Sequence, residues 1–126
     1  MAPLPGINPA EAEAIAAIAA GSDDGPVLML NLNRYRAETG YPDGAPYRAY
    51  MAALDTLLDQ VGGRVVWRAA VRGQVVGDRP IDEAIGIWYP THQAFLDLTT
   101  APGSAENMRL RRLAIERADL HRCRAD

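Results

Sequence analysis

The sequence predicts an α+β fold: one antiparallel sheet carrying helices on one face, in the order β-α-β-β-α-β, with an extra helix in front. Three observations predict it. The stretch Pro26-Val27-Leu28-Met29-Leu30-Asn31-Leu32-Asn33-Arg34-Tyr35 alternates two sets of side chains with a strand's period of two. Tyr47, Tyr50, Leu54, Leu57 and Val61 then recur at helical spacing, with Met51 and Leu58 beside the stripe. Two further apolar runs, Arg64–Arg72 and Asp82–Tyr89, are separated by the turn residues Gly77-Asp78-Arg79-Pro80. This order is the split βαβ, or ferredoxin-like, arrangement.

At the N-terminus, Asn8, Pro9 and Glu11 form a capping-box pattern that opens a short alanine-rich helix ending at Gly21. Its apolar face, Ala12, Ile15, Ile18 and Ala19, is small. Residues 1–25 therefore read as a helical extension to a domain spanning 26–126. In the first strand Leu28, Leu30 and Leu32 share one face, which is expected to pack under helices. Met29, Asn31 and Asn33 share the other. Pro46 opens the second helix and Gly62-Gly63 ends it. The second strand is expected to continue through Val75-Val76. Thr91 caps a helix through Leu98, and a charged helix runs from Ser104 to about Arg117. Asp119–Cys123 forms the last strand, beside the first. Met29, Ala84, Gly86 and Trp88 then leave an apolar patch on the helix-free face, of the kind that marks an interface.

Composition bounds the function. The 126 residues suit one domain. A formal charge of −3 and a pI near 5.3 argue against nucleic-acid binding. All 13 basic residues are arginine, so no side chain can form a Schiff base and no phosphate-loop lysine exists. The single Cys123 excludes an intramolecular disulfide and fits a reducing cytoplasm. Glu11 and Glu13 interrupt the N-terminal apolar run, so no secretory signal is expected there, and no segment approaches membrane-spanning length. No metal constellation or cofactor motif is visible, and neither metal nor cofactor is expected.

The candidate site residues follow from the polar groups on covered faces. Asn31 and Asn33 can orient a carbonyl or phenol or hold a developing oxyanion; equally, they can bond neighbouring backbone. If Leu120 faces the helices, parity places His121 on the asparagine face as a general acid/base. His92, in a first helical turn, is expected to be exposed. Arg68 and Arg72 share a face and suit a carboxylate. Arg111 is expected to pair with Asp82 or Glu83, or to bind substrate. Tyr47 and Tyr50 suit the core or the site. Trp67 and Trp88 can wall an aromatic ligand or simply pack.

Several landmarks occur together in order: Asn31-Leu32 with Arg34, Tyr47 and Tyr50, Gly62-Gly63 before Val65-Val66-Trp67, Asp82-Glu83, Tyr89-Pro90-Thr91, and Arg111 with Ala114 and Glu116. This set resembles the DUF1330 family of the dimeric α+β-barrel superfamily over residues 26 to 121. Asn33, Ile81, Thr91 and Gly103 depart from the family's usual residues. The resemblance implies a homodimer and a superfamily of cofactor-free monooxygenases, lactone isomerases, polyketide cyclases and haem enzymes. Together these readings give a cytoplasmic homodimer that binds a small molecule. Its expected chemistry is cofactor-independent isomerisation, cyclisation or related proton transfer on an aromatic or carbonyl-bearing metabolite. Catalysis is assigned to His121, Asn31 and Tyr50, and substrate binding to Asn33, Trp67, Arg68, Trp88 and Arg111. A cofactor-free monooxygenase of a phenolic substrate and a non-catalytic binding protein are the alternatives.

Overall fold

The computed structural model describes residues 4–126. Helix α1 (Pro9–Ala20) precedes strand β1 (Val27–Tyr35), helix α2 (Ala45–Val61), strands β2 (Arg64–Ala70) and β3 (Glu83–Tyr89), helices α3 (His92–Leu96) and α4 (Ser104–Ala114), and strand β4 (Ile115–Arg124). All strand pairs are antiparallel, in the order β2-β3-β1-β4, with β1 and β3 central. The expected β-α-β-β-α-β core and its extra N-terminal helix are present. Strand β2 stops at Ala70, and Val75 and Val76 are 98% and 88% exposed in the loop beyond it. The last helix ends at Ala114, three residues early, because β4 begins at Ile115 and runs ten residues.

The two faces of the sheet are reversed from expectation. Val27, Met29, Asn33 and Tyr35 are buried, whereas Leu28, Leu30 and Leu32 are only half-buried. Met29 stands opposite Ile87, and Leu28, Leu30 and Leu32 stand opposite Trp88, Gly86 and Ala84. The odd-numbered set lies beneath α2 and α4, among Tyr50, Met51, Leu54 and Leu58. The leucine set is helix-free, and Met29 belongs to the core and not to the apolar patch. Alternation determines which residues share a face, but it cannot say which face meets the helices. Here the more polar set is inside because Tyr35, Asn33 and Glu83 satisfy one another there.

Local chemistry explains the element ends. Gly62 ends α2 at φ 81°, with its N–H on the last-turn carbonyls of Leu58 and Asp59. Thr91 caps α3 as expected, its Oγ1 accepting from the Ala94 N–H at 3.0 Å. Asn8 makes no side-chain cap for α1; Glu11 instead reaches Arg122 of β4 at 2.8 Å, and Ile15 enters the core. His92 is buried, contrary to expectation. Asp24 accepts from the backbone N–H of His92 and of Gln93, and its Oδ1 lies 3.0 Å from His92 Nδ1. Burial acts to raise the Asp24 carboxyl, but these bonds outweigh it and hold it below the usual range.

Candidate functional site

Between the sheet and helices α2 and α4 lies a cavity of about 60 Å³. Its walls are mainly apolar, from Leu54, Leu57, Ile85, Ile87, Phe95 and Leu120. Into it come Asn31 and Asn33 from β1, Tyr50 from α2, and Asn107 and Arg111 from α4. Asn107 and Arg111 are four residues apart on one helix, and therefore on one face. Asn31 and Asn33 line this cavity, which lies beneath the helices and not on the helix-free face where they were expected.

The polar groups differ in how they are satisfied. Asn31 Nδ2 donates to the Met29 carbonyl at 3.0 Å, and Asn33 Nδ2 donates to the Tyr35 hydroxyl at 3.2 Å. Asn107 is 5% exposed, and its Nδ2 is the one buried side-chain polar atom without a partner among the described residues. Arg111 is half-buried and makes no ion pair among the described residues. It does not pair with Asp82 or Glu83 as expected; it lies against Tyr50. Burial pushes the Tyr50 hydroxyl up, and the neighbouring guanidinium acts in the opposite direction. Tyr50 is therefore a phenol, not a phenolate, at neutral pH.

Beside Asn33 lies a cluster that sequence reasoning passed over. Glu83 is 4% exposed, and its carboxylate accepts from the Tyr35 hydroxyl at 2.6 Å and from the Tyr47 hydroxyl at 3.0 Å. Asp82 closes the strand end, accepting from the Tyr35 backbone N–H at 2.8 Å. Tyr41 stacks on Tyr35, with ring centroids 4.9 Å apart. Burial first, and Glu83 second, push the Tyr35 and Tyr47 hydroxyls up. Glu83 anchors the segment that aims Asn33; it does not line the cavity. The signal in the sequence was the clustering of tyrosines around an acidic strand start, which reads as core until a buried carboxylate is placed among them.

Four expected site residues lie elsewhere. His121 stands opposite Leu30, so it shares the leucine face and not the asparagine face. Leu120 does face the helices and His121 does face away from them, as parity requires; the expected meeting of His121 with the asparagines fails because Asn31 and Asn33 lie on the helix side with Leu120. A bulge between Val65 and Trp67 shifts the parity of β2. It puts Trp67 on the helix-free face over Gly86, where an added Cβ would meet the Trp67 indole. Trp88 lies on that face too, with the Arg64 guanidinium 4.5 Å from its ring centroid. Arg68 faces the helices but lies outside the cavity, 3.9 Å from Asp55 of α2.

A second, open space of about 780 Å³ runs along the edge of β4 beneath α1 and the segment before it. It shares Leu4, Phe95, Arg111 and Leu120 with the cavity, so the two spaces adjoin. No group of three or more metal-ligating side chains occurs among the described residues, and none of their helices is long and apolar enough to cross a membrane.

No protein-family model and no curated protein matches the chain. Solved structures do. A dabb family protein with a ferredoxin-like fold from Mesorhizobium loti is 11% identical with a TM-score of 0.55, over 81% of this chain and 98% of that one. A hydroxynitrile lyase from Passiflora edulis is 16% identical with a TM-score of 0.58, over 79% of this chain and 92% of that one. Both likenesses are of fold. The RPA0582 protein of Rhodopseudomonas palustris, described as of unknown function, is 31% identical with a TM-score of 0.71, over 88% of this chain and 90% of that one. Its methylated form superposes with a TM-score of 0.76 over the whole of this chain and 97% of its own. By that identity and coverage, the chain belongs to the same family as the RPA0582 protein, within the ferredoxin-like α+β fold.

Proposed function

We propose that the protein is a small-molecule enzyme that performs cofactor-independent isomerisation, cyclisation or related proton transfer on a carbonyl-bearing metabolite held beneath α2 and α4. One observation carries the reading: the unpartnered Asn107 amide in an otherwise apolar cavity, with Arg111 and Tyr50 beside it. A buried donor without an acceptor costs about 1–3 kcal/mol, and a ligand oxygen relieves that cost. Donors converging in a site of low dielectric stabilise an enolate or oxyanion far better than water does. In this scheme Asn107, Asn31 and Arg111 hold the developing negative charge. The Tyr50 phenol gives its proton to the carbonyl oxygen, and the phenolate so formed, beside Arg111, takes the proton from the adjacent carbon. Loss of a proton next to a carbonyl and its return at another position gives isomerisation, with no net change in electrons.

The same cavity supports a second reading. Its lining contains no carboxylate and no imidazole, which favours a non-catalytic binding protein. Exchange decides between them. In heavy water, a catalytic site should wash deuterium into the carbon next to the carbonyl of a bound ligand, and Tyr50→Phe should slow this by about 10²-fold. Binding without any exchange across a panel of carbonyl compounds would establish the binder.

The working form of the protein is proposed to be a homodimer. The helix-free face presents Leu28, Leu30, Leu32, Trp67, Ala84 and Trp88, and two such faces placed together remove that apolar area from water. We also assign the chain to DUF1330, on the ordered landmarks from Asn31 to Glu116.

A further inference from the structure

Arg111 is the least explained charge in the molecule. Among the described residues, three arginines around it have carboxylate partners: Arg109 pairs with Glu106, Arg122 with Glu11, and Arg79 with Asp119, while Arg112 next to it is exposed. Arg111 has no carboxylate among them and only the neutral Tyr50 hydroxyl beside it, although it is half-buried at a cavity wall. The carboxylates that could serve it are occupied: Glu83 by the tyrosine hydroxyls, Asp82 by the β1 backbone, and Glu11 and Asp119 of the adjoining groove by Arg122 and Arg79. A guanidinium taken partly out of water favours a planar anion that it can grip with two parallel N–H groups. One helical turn away, the Asn107 amide is also without an acceptor.

We infer that Arg111, Asn107 and Tyr50 form a carboxylate-binding site, and that the ligand is a small carboxylic acid whose apolar body lies in the adjoining groove. The inference rests on the cavity being the ligand site, as proposed above, and names what enters it. Size agrees. A cavity of about 60 Å³ takes about four water-sized groups at roughly 15 Å³ each, the size of a carboxylate with its α-carbon. The larger groove offers Ile7, Ile15, Met29 and Phe95 to an apolar remainder. Arg111 lines both spaces and stands where head and body would join. The site's donors, two N–H groups of one guanidinium, one amide and one phenol, match the roughly four lone-pair sites of a carboxylate, and its single positive charge suits a carboxylate better than a doubly charged phosphate.

The test compares acids with their neutral amides. Benzoate, phenylacetate and hexanoate, and benzamide, phenylacetamide and hexanamide, are titrated into the protein at low salt, followed by calorimetry and by the backbone amide shifts of Asn31 and Asn107. At least one acid should bind at least tenfold tighter than its amide. Asn107→Asp places an internal carboxylate one turn from Arg111. It should keep or raise the melting temperature and weaken acid binding at least tenfold. Arg111→Met should abolish the preference for acid over amide, and serves if the first variant does not fold. Equal affinity for acids and amides would overturn the carboxylate assignment and leave the cavity as a ligand site. If no compound binds or moves those resonances, both the assignment and the cavity reading fall.

Discussion

Asn107 and Glu83 are both buried polar residues, and they respond oppositely to replacement. Glu83 holds two tyrosine hydroxyls, so Glu83→Ala strands two buried donors and leaves a void. It should cost about 3 kcal/mol or more in urea unfolding. Asn107 Nδ2 has no partner to lose. Asn107→Leu should leave stability unchanged or raise it by about 1 kcal/mol, measured in the same way. A large loss in Asn107→Leu would show that the amide serves the fold and not a ligand. Neither role was legible in the sequence. Burial of an asparagine on a charged helix such as α4 depends on the angle at which the helix meets the sheet, and no local pattern records that angle.

The elements themselves were largely legible, because each rests on a local signal: the 3.6 period of Tyr47 to Val61, the Thr91 cap, the Gly62 stop. The errors are those of facing. The leucines and the asparagines of β1 were each placed on the other's side, which parts His121 from the asparagines although it lies on the helix-free face as expected, and Trp67 and Arg68 were obscured by a bulge that has no glycine to announce it. The bulge makes a prediction of its own. Val65 faces the helices opposite Ile87, and Trp67 faces away opposite Gly86. With Val66 removed, those two residues would alternate as in a regular strand, and no neighbour would change face. Deletion of Val66 should therefore cost little, about 1 kcal/mol or less by thermal melting, against the roughly 1–3 kcal/mol of a typical damaging change. Deletion of Gly86 in β3, which carries no bulge there, should be far more damaging, because it turns the buried Ile85 or Ile87 off the helix side. Comparable losses in the two deletions would refute this account of β2.

For the molecule as a whole, all 5 tyrosines lie on the helix side, and each hydroxyl is pushed up, by burial before any other cause. A folded value above the unfolded one, about 10, means the contribution to stability is complete below pH 10 and is lost as pH rises beyond it. Absorbance of phenolate should therefore appear late, together with cooperative unfolding; a gradual titration of several tyrosines near pH 10 in folded protein would contradict the packing. On the opposite side, the proposed dimer predicts about twice the chain mass of 13.6 kDa by light scattering. Leu30→Arg, which sets a charge in the middle of the leucine face, should yield monomer with its circular dichroism intact. A wild-type monomer at micromolar concentration would remove the dimer.

The segregation of aromatic residues has a spectroscopic consequence. The chain's 2 tryptophans both sit on the helix-free face, and its tyrosines all sit on the other. Light at 295 nm therefore excites only the side of the sheet where the second copy is proposed to dock. On dilution, red-shifted emission would follow separation of the subunits, while filling of the cavity would leave that emission nearly unchanged and register in the tyrosine bands. The sheet acts as a partition between two optical channels, and assembly and ligand capture can be followed separately in one cuvette with no added label.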